Sequence, residues 1–240
     1  MPAPYAGVWC SKMLFLQPFP EDSFISPQAR FLLQQPLPPP HMNSRLFYVH
    51  VPSPLGSALV VFDTEGTADK KGTVVYVAIG EWHSLVATMK RDFHKLGVCP
   101  RAEMMAGNRA RASAVADIAA FLASPTEAHR QEISHKYLFG TELQQRVWRE
   151  IEAIPPGKSV TYTQLAARVG LGPSSARVVA NAVGANRLAV VVPCHRVKRS
   201  DGGDGGFRWG LQIKRSLIER EKVLLREGET VKTKVEGEKT

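Results

Sequence analysis

Apolar and β-branched residues between 45 and 80 come in three short runs, at 46–51, 57–62 and 73–78. Pro54-Leu55-Gly56 reads as a turn between the first two, and a polar stretch at 66–71 separates the second from the third. The pattern predicts three antiparallel strands in a meander. The period then changes. Over 81–96, Leu85, Met89 and Phe93 fall on one side of a helix, and an alanine-rich stretch at 110–122 predicts another. At 140–154 Thr141 is placed to cap a third helix, with Leu143, Val147, Ile151 and Ile154 at helical spacing and Trp148 beside them. Pro155-Pro156-Gly157 ends it. A short helix over 161–169, closed by Gly170, precedes a second that starts at Ser174 or Ser175 and runs to about Gly184. Two short helices joined by a Gly-containing turn predict a helix-turn-helix. Leu211, Ile218 and Leu225 predict a last helix over 211–226. The expected fold is α/β of the α+β kind. A small three-stranded N-terminal domain (45–130) precedes a mostly helical C-terminal one (138–226). A Pro/Gln-rich extension (1–44) and a charged tail (227–240) are expected to be disordered.

One stretch departs from both periods. The run at 188–192 is apolar throughout and reads as a buried strand leading to Pro193, which cannot go on donating to a ladder. Cys194 and His195 follow at once. In a regular strand neighbouring side chains point to opposite faces, so the break is what would let a thiol and an imidazole share a site. The residues alone leave two readings open, a reactive pair and a buried structural cysteine beside a histidine.

Charge changes the picture. Residues 131–226 carry 16 Lys/Arg against 8 Asp/Glu, whereas residues 1–130 carry 12 against 10. A basic segment that also holds the Cys-His pair points to a polyanion, most simply nucleic acid. The predicted second helix of the pair fits this, since its outer positions are small and Arg177 stands in its first turn. Three widely spaced cysteines, Cys10, Cys99 and Cys194, argue against a disulfide framework, and no apolar run is long enough to span a bilayer. His83 and His94 lack clustered partners, so neither a metal nor a cofactor is expected.

Several motifs then stand in one order: Gly140-Thr141, Gln144-Gln145 with Val147-Trp148, Ile154-Pro155, Thr161-Tyr162 with Gln164-Leu165-Ala166, Ala176-Arg177-Val178, Ala185-Asn186, Pro193-Cys194-His195-Arg196 and Phe207-Arg208-Trp209-Gly210. Over 140–225 the chain resembles the O6-alkylguanine-DNA alkyltransferases, single-turnover repair proteins. The resemblance implies that Cys194 accepts the alkyl group, that His195 draws its proton through a bound water, and that Glu221 orients the imidazole. It implies that Asn186 ties the recognition helix to the active-site turn and that Tyr162 donates to the departing guanine. Thr161, Tyr162, Ser175, Ala176 and Arg177 would meet DNA in the minor groove, with Arg177 filling the space of a flipped base. Pro193, Val197, Phe207, Arg208 and Trp209 would form the base pocket, the backbone of Cys194, Val197 and Arg208 reading the base edge. The implied partner is double-stranded DNA carrying O6-alkylguanine, bound by a monomer with no membrane role, and the implied compartment is the nucleus. Phe207 stands where the family usually has tyrosine. Trp209 is bulky where many members have glycine, which implies a pocket that favours methyl over benzyl groups. The zinc site of some members is not expected here, because Cys10, His41 and Cys99 have no matching spacing. A non-reactive lesion-sensing homologue would lack the cysteine, and a thiol hydrolase would need an oxyanion hole that the sequence does not suggest.

Overall fold

The three apolar runs become β1 (Leu46–Ser53), β2 (Gly56–Asp63) and β3 (Thr73–Gly80), paired antiparallel as the predicted meander. The structure is a computed structural model that describes residues 46–64, 72–98, 100–102 and 109–237. The expectations for the N-terminal extension with Cys10 and His41, for the loop at 66–71 and for Cys99 lie outside these residues. Gly56 turns the first hairpin at φ +107°, a conformation that strains any side chain. A fourth strand, β4 (Arg101–Ala102), adds parallel to β1 and makes the order β3-β2-β1-β4. Two residues are too few to show a period, so the sequence predicts three strands and misses this one.

Between Val61 and Phe62 the β2–β3 register shifts, leaving Val75 without a partner opposite. Val75 and Tyr76 therefore both join the cluster on one face, where Leu59 and Val61 pack with Leu85, Met89 and Phe93 of α1 (Trp82–His94). On the other face Val60, Phe62, Val77 and Ile79 meet Ile118, Phe121 and Leu122 of α2 (Arg109–Ala123). That second cluster continues without a break into Val147, Trp148, Ile151 and Leu165 of the C-terminal half. A five-residue helix, α3 (Glu127–Gln131), capped by Thr126, leads across; it too is shorter than any period the sequence could display.

The outer edge of β3 is covered by the C-terminal half. Val74 exchanges backbone bonds with the chain at 134–136, and Val77 with Arg187 and Ala189, all at 2.8–3.0 Å. An open edge would leave these groups to solvent or to another chain. Covering it fixes the segment just upstream of Cys194 against the sheet.

The C-terminal helices follow their caps. Thr141 and Gln144 close a reciprocal capping box on α4 (Glu142–Glu152), and Thr161 and Gln164 do the same on α5 (Tyr162–Arg168). A 3₁₀ turn (Pro173–Ser175) leads into α6 (Ala176–Gly184), which buries Val179, Ala182 and Val183. Trp148 Nε1 donates to the Ala182 carbonyl at 2.8 Å, locking α4 onto α6. The last helix, α7 (Leu211–Gly237), runs eleven residues beyond the predicted end at 226, through most of the stretch expected to be a disordered tail. No apolar period marks that extension. Lengthening an existing helix fixes one residue per hydrogen bond and avoids the cost of nucleation.

The strand expected at 188–192 does not form. The run is buried throughout, but Leu188 makes only a single bridge to Val77, and Ala189 bridges back to Val192. Val190 sits at φ +67°, unusual for a β-branched residue, and reverses the chain within the core. An unbroken apolar run looks alike whether the backbone is extended or folded on itself, which is why the pattern misreads it.

Candidate active site

The buried turn at 188–192 delivers Cys194 to the first position of a 3₁₀ turn (Cys194–Arg196). Asn186, just after α6 and 1% exposed, holds that arrangement together. Its Oδ1 accepts from Leu188 N at 2.8 Å, while Nδ2 donates to the Leu188 and Val192 carbonyls and to Cys194 Sγ at 3.2 Å. One amide just beyond the end of α6 thus links the turn and the thiol. Downstream, β5 (Val160–Thr161) and β6 (Val197–Lys198) pair in parallel. This two-rung ladder sets the start of α5, and so Tyr162, beside the chain leaving Cys194.

His195 is 1% exposed and its Nε2 lies 2.7 Å from Glu221 Oε1. Arg196 Nε and Nη2 donate to the same oxygen at 2.9 and 2.8 Å, and Gly157 N donates to Oε2 at 3.1 Å. Burial by itself would raise the Glu221 carboxyl, but the bonds and charges of His195 and Arg196 outweigh it and hold the group at about 2. An ionised carboxylate only accepts, so the His195 proton belongs on Nε2. Nδ1 is then the basic nitrogen, and it makes no hydrogen bond to a described residue. Burial pushes the His195 imidazole down in spite of Glu221. Burial likewise pushes the Cys194 thiol up, opposed by the Asn186 bond and by the charge of Lys214. Thiol and imidazole are both neutral at rest, with a base ready and a fixed anion behind it.

Tyr162 is half-buried. Burial raises its phenol and the nearby Cys194 adds to this, while Arg199 opposes both. The loop at 199–206 lies against the ring, because a Cβ on Gly205 would stand 2.6 Å from Tyr162 Oη. The four glycines among residues 200–206 predict a flexible loop. In the structure Arg199 N bonds the Gly203 carbonyl at 2.9 Å, Arg215 pairs with Asp204 at 2.7 Å, and Lys214 Nζ donates to the Asp204 carbonyl. Lys214 is fully buried and also donates to the Val197 carbonyl at 2.7 Å. Neither Lys214 nor Arg196 is assigned a role from the sequence; an unpaired lysine in a basic helix carries no signal that it points inward.

The other expected residues divide. Pro193 and Val197 are buried on either side of the Cys194 turn, and Phe207 packs on the cluster that contains Cys194. Arg208 sends its side chain away from the thiol, to Asp92 Oδ2 at 2.8 Å. Trp209 stands edge-on to Tyr76 at 6.1 Å between centroids, with the Arg208 guanidinium 5.2 Å over its ring. Ser175, which ends the 3₁₀ turn, and Ala176, which starts α6, are half-buried, whereas Arg177, Val178, Asn181 and Gly184 form an exposed face of α6. Among the described residues no group of three His, Cys, Asp or Glu could hold a metal ion, and no helix is long and apolar enough to cross a membrane.

Residues 142–223 match the family model for the DNA-binding domain of 6-O-methylguanine DNA methyltransferase. A methylated-DNA–protein-cysteine methyltransferase from Scheffersomyces stipitis is 35% identical over 190 residues, covering 73% of this chain and 93% of that one. The chain belongs to the methylated-DNA–protein-cysteine methyltransferase family. The regulatory protein Ada of Salmonella typhimurium is 54% identical over 82 residues, which span 34% of this chain and 23% of Ada. The crystal structure of Mycobacterium tuberculosis OGT in complex with DNA is similar at a TM-score of 0.55 and 27% identity, covering 74% of this chain and 93% of that one. Tyr162, Asn186, Cys194, His195 and Glu221 all lie inside the segment that matches the methyltransferase model, whereas Asp92 and the sheet lie outside it.

Proposed function

We propose that the protein repairs DNA by moving the alkyl group of an O6-alkylguanine onto Cys194. An alkyl–oxygen bond must be broken in line, and a thiolate is the fitting nucleophile. The thiol proton passes to His195 Nδ1, through a water, and the imidazolium is balanced by Glu221. Sulfur then bonds to the alkyl carbon as the carbon–oxygen bond breaks, its electron pair going to the purine. The purine takes up a proton to end as guanine, and a donor such as the Tyr162 phenol stabilises the charge as it develops. The thioether does not readily reverse, so each chain acts once.

Reaching O6 inside a pocket requires the nucleotide to leave the stack. The exposed face of α6 suits close approach to a minor groove, and Arg177 is the side chain free to enter the space left behind. The partner is double-stranded DNA with the lesion, met by one copy of the chain, and this substrate points to the nucleus. The observation that carries the reading is the buried Cys194 Sγ, bonded by Asn186 beside a neutral His195 that leans on an ionised Glu221. Intact mass after mixing with a duplex holding one O6-methylguanine tests it. A gain of one methyl group per chain, absent in Cys194→Ser, is expected. Tight binding with no gain in mass would instead mean a lesion-sensing protein.

A further inference from the structure

We infer that Asp92, on a helix of the N-terminal half, is a positioning residue for the pocket wall. The carboxylate is 4% exposed, and Oδ2 meets two guanidiniums and a phenol. Arg208 Nη2 and Arg187 Nε lie 2.8 Å from it, and the Tyr76 hydroxyl donates at 3.2 Å. Arg187 Nη2 also reaches Oδ1 at 3.4 Å. These two arginines belong to two segments that the alkyl-transfer reading assigns to the pocket around Cys194. Arg187 follows Asn186 and enters the buried turn that leads to Cys194; Arg208 lies between Phe207 and Trp209. One side chain from outside residues 142–223 therefore ties these two segments together.

The charges explain why a carboxylate is needed. Two guanidiniums sharing one oxygen repel each other, and only the anion between them makes the arrangement favourable away from water. With Asp92 neutral, Arg208 must draw away. It cannot do so alone, because its guanidinium stacks on Trp209, whose ring in turn stands against Tyr76. The backbone of Arg208 and the ring of Trp209 would shift together, and positional errors near 1 Å can cost about a hundredfold in rate. The cluster reaches α6 at its C-cap, where Arg187 Nη1 donates to the Ala185 carbonyl at 2.7 Å, and the first turn of that helix, with Arg177, lies at the other end.

This inference rests on the alkyl-transfer reading, and the test separates the two. Single-turnover methyl transfer from an O6-methylguanine duplex is timed for the full chain, at protein concentrations that saturate binding. Asp92→Asn should lower the rate constant about tenfold or more, with affinity for undamaged duplex within about twofold. Asp92→Glu should recover part of the loss. Adding Arg187→Met to Asp92→Asn should also recover part of it, because one cation of the repelling pair is gone. A merely structural role predicts something else: a lower fraction of competent protein, read as amplitude, with an unchanged rate constant and a worse double variant. Either an unchanged rate constant in Asp92→Asn or a worse double variant overturns the inference. A wild-type chain that takes up no methyl group overturns the reading beneath it.

Discussion

Glu221→Gln isolates the charge behind the imidazole. The carboxylate serves four donors with two oxygens: His195 Nε2, two nitrogens of Arg196, and Gly157 N. An amide has one acceptor oxygen. If that oxygen keeps His195 and Arg196, the new NH₂ faces the Gly157 N–H, donor to donor. If it turns to Gly157, the NH₂ faces the guanidinium. Either way Arg196, 5% exposed, loses its only carboxylate among the described residues. Breaking a buried pair from one side costs about 3–5 kcal/mol, and the surviving amide bonds place this variant near the lower figure. The chemical step suffers separately. When His195 takes the thiol proton, the imidazolium forms 2.7 Å from an oxygen that is now neutral. At an effective dielectric of about 20 and about 4 Å between charge centres the lost attraction is about 4 kcal/mol, or roughly a thousandfold in rate. Quenched single-turnover methyl transfer, with protein in excess over a saturated O6-methylguanine duplex, measures this directly. Urea unfolding reports the stability term on the same preparation. A folded Glu221→Gln protein transferring within tenfold of the parent would refute an imidazolium on the path to the transition state.

The same pair sets the response to acid. His195 is held below its ordinary 6.5 by burial, so the unfolded chain binds a proton that the folded one refuses, and stability should fall as pH drops below about 6.5. Glu221, held at about 2 against an ordinary 4.5, adds a second loss between those values. Urea midpoints across pH should show both steps in the parent and a smaller lower step in Glu221→Gln, where Glu127 and Glu152, also held low, still contribute. Gly205→Ala places a methyl 2.6 Å from Tyr162 Oη at φ +66°. It should slow transfer by displacing the phenol while costing about 1–2 kcal/mol of stability, and an unchanged transfer rate would show that the ring position is immaterial. Trp209→Gly should raise the rate with O6-benzylguanine as a free base relative to the methylated duplex. No gain would mean that the indole, which packs on Tyr76, does not limit the pocket.

Which features the sequence shows, and which it hides, follows from how each is encoded. Thr141 with Gln144 and Thr161 with Gln164 announce two helix starts, because capping uses fixed residue types at fixed spacing. The meander is equally plain from runs of alternating and β-branched residues. The turn at 188–192 is not, since Val190 carries its positive φ inside a run whose composition suits a strand. The difference matters for the site: a strand would leave Asn186 stretched away from Cys194, whereas the reversal brings its amide within 3.2 Å of Sγ. Cys194, His195 and Asn186 could be named because motifs carry them, and Glu221 because the resemblance runs on to 225. Arg196 stands in a motif that assigns it no role, Lys214 and Asp92 stand in none, and only folding shows that each is buried against a specific partner. All three act at a distance in sequence, 25 residues from Arg196 to Glu221 and 116 from Asp92 to Arg208. Local pattern cannot encode such pairs. They are also what fastens the carboxylate behind His195 and ties the chain at Arg187 to the chain at Arg208.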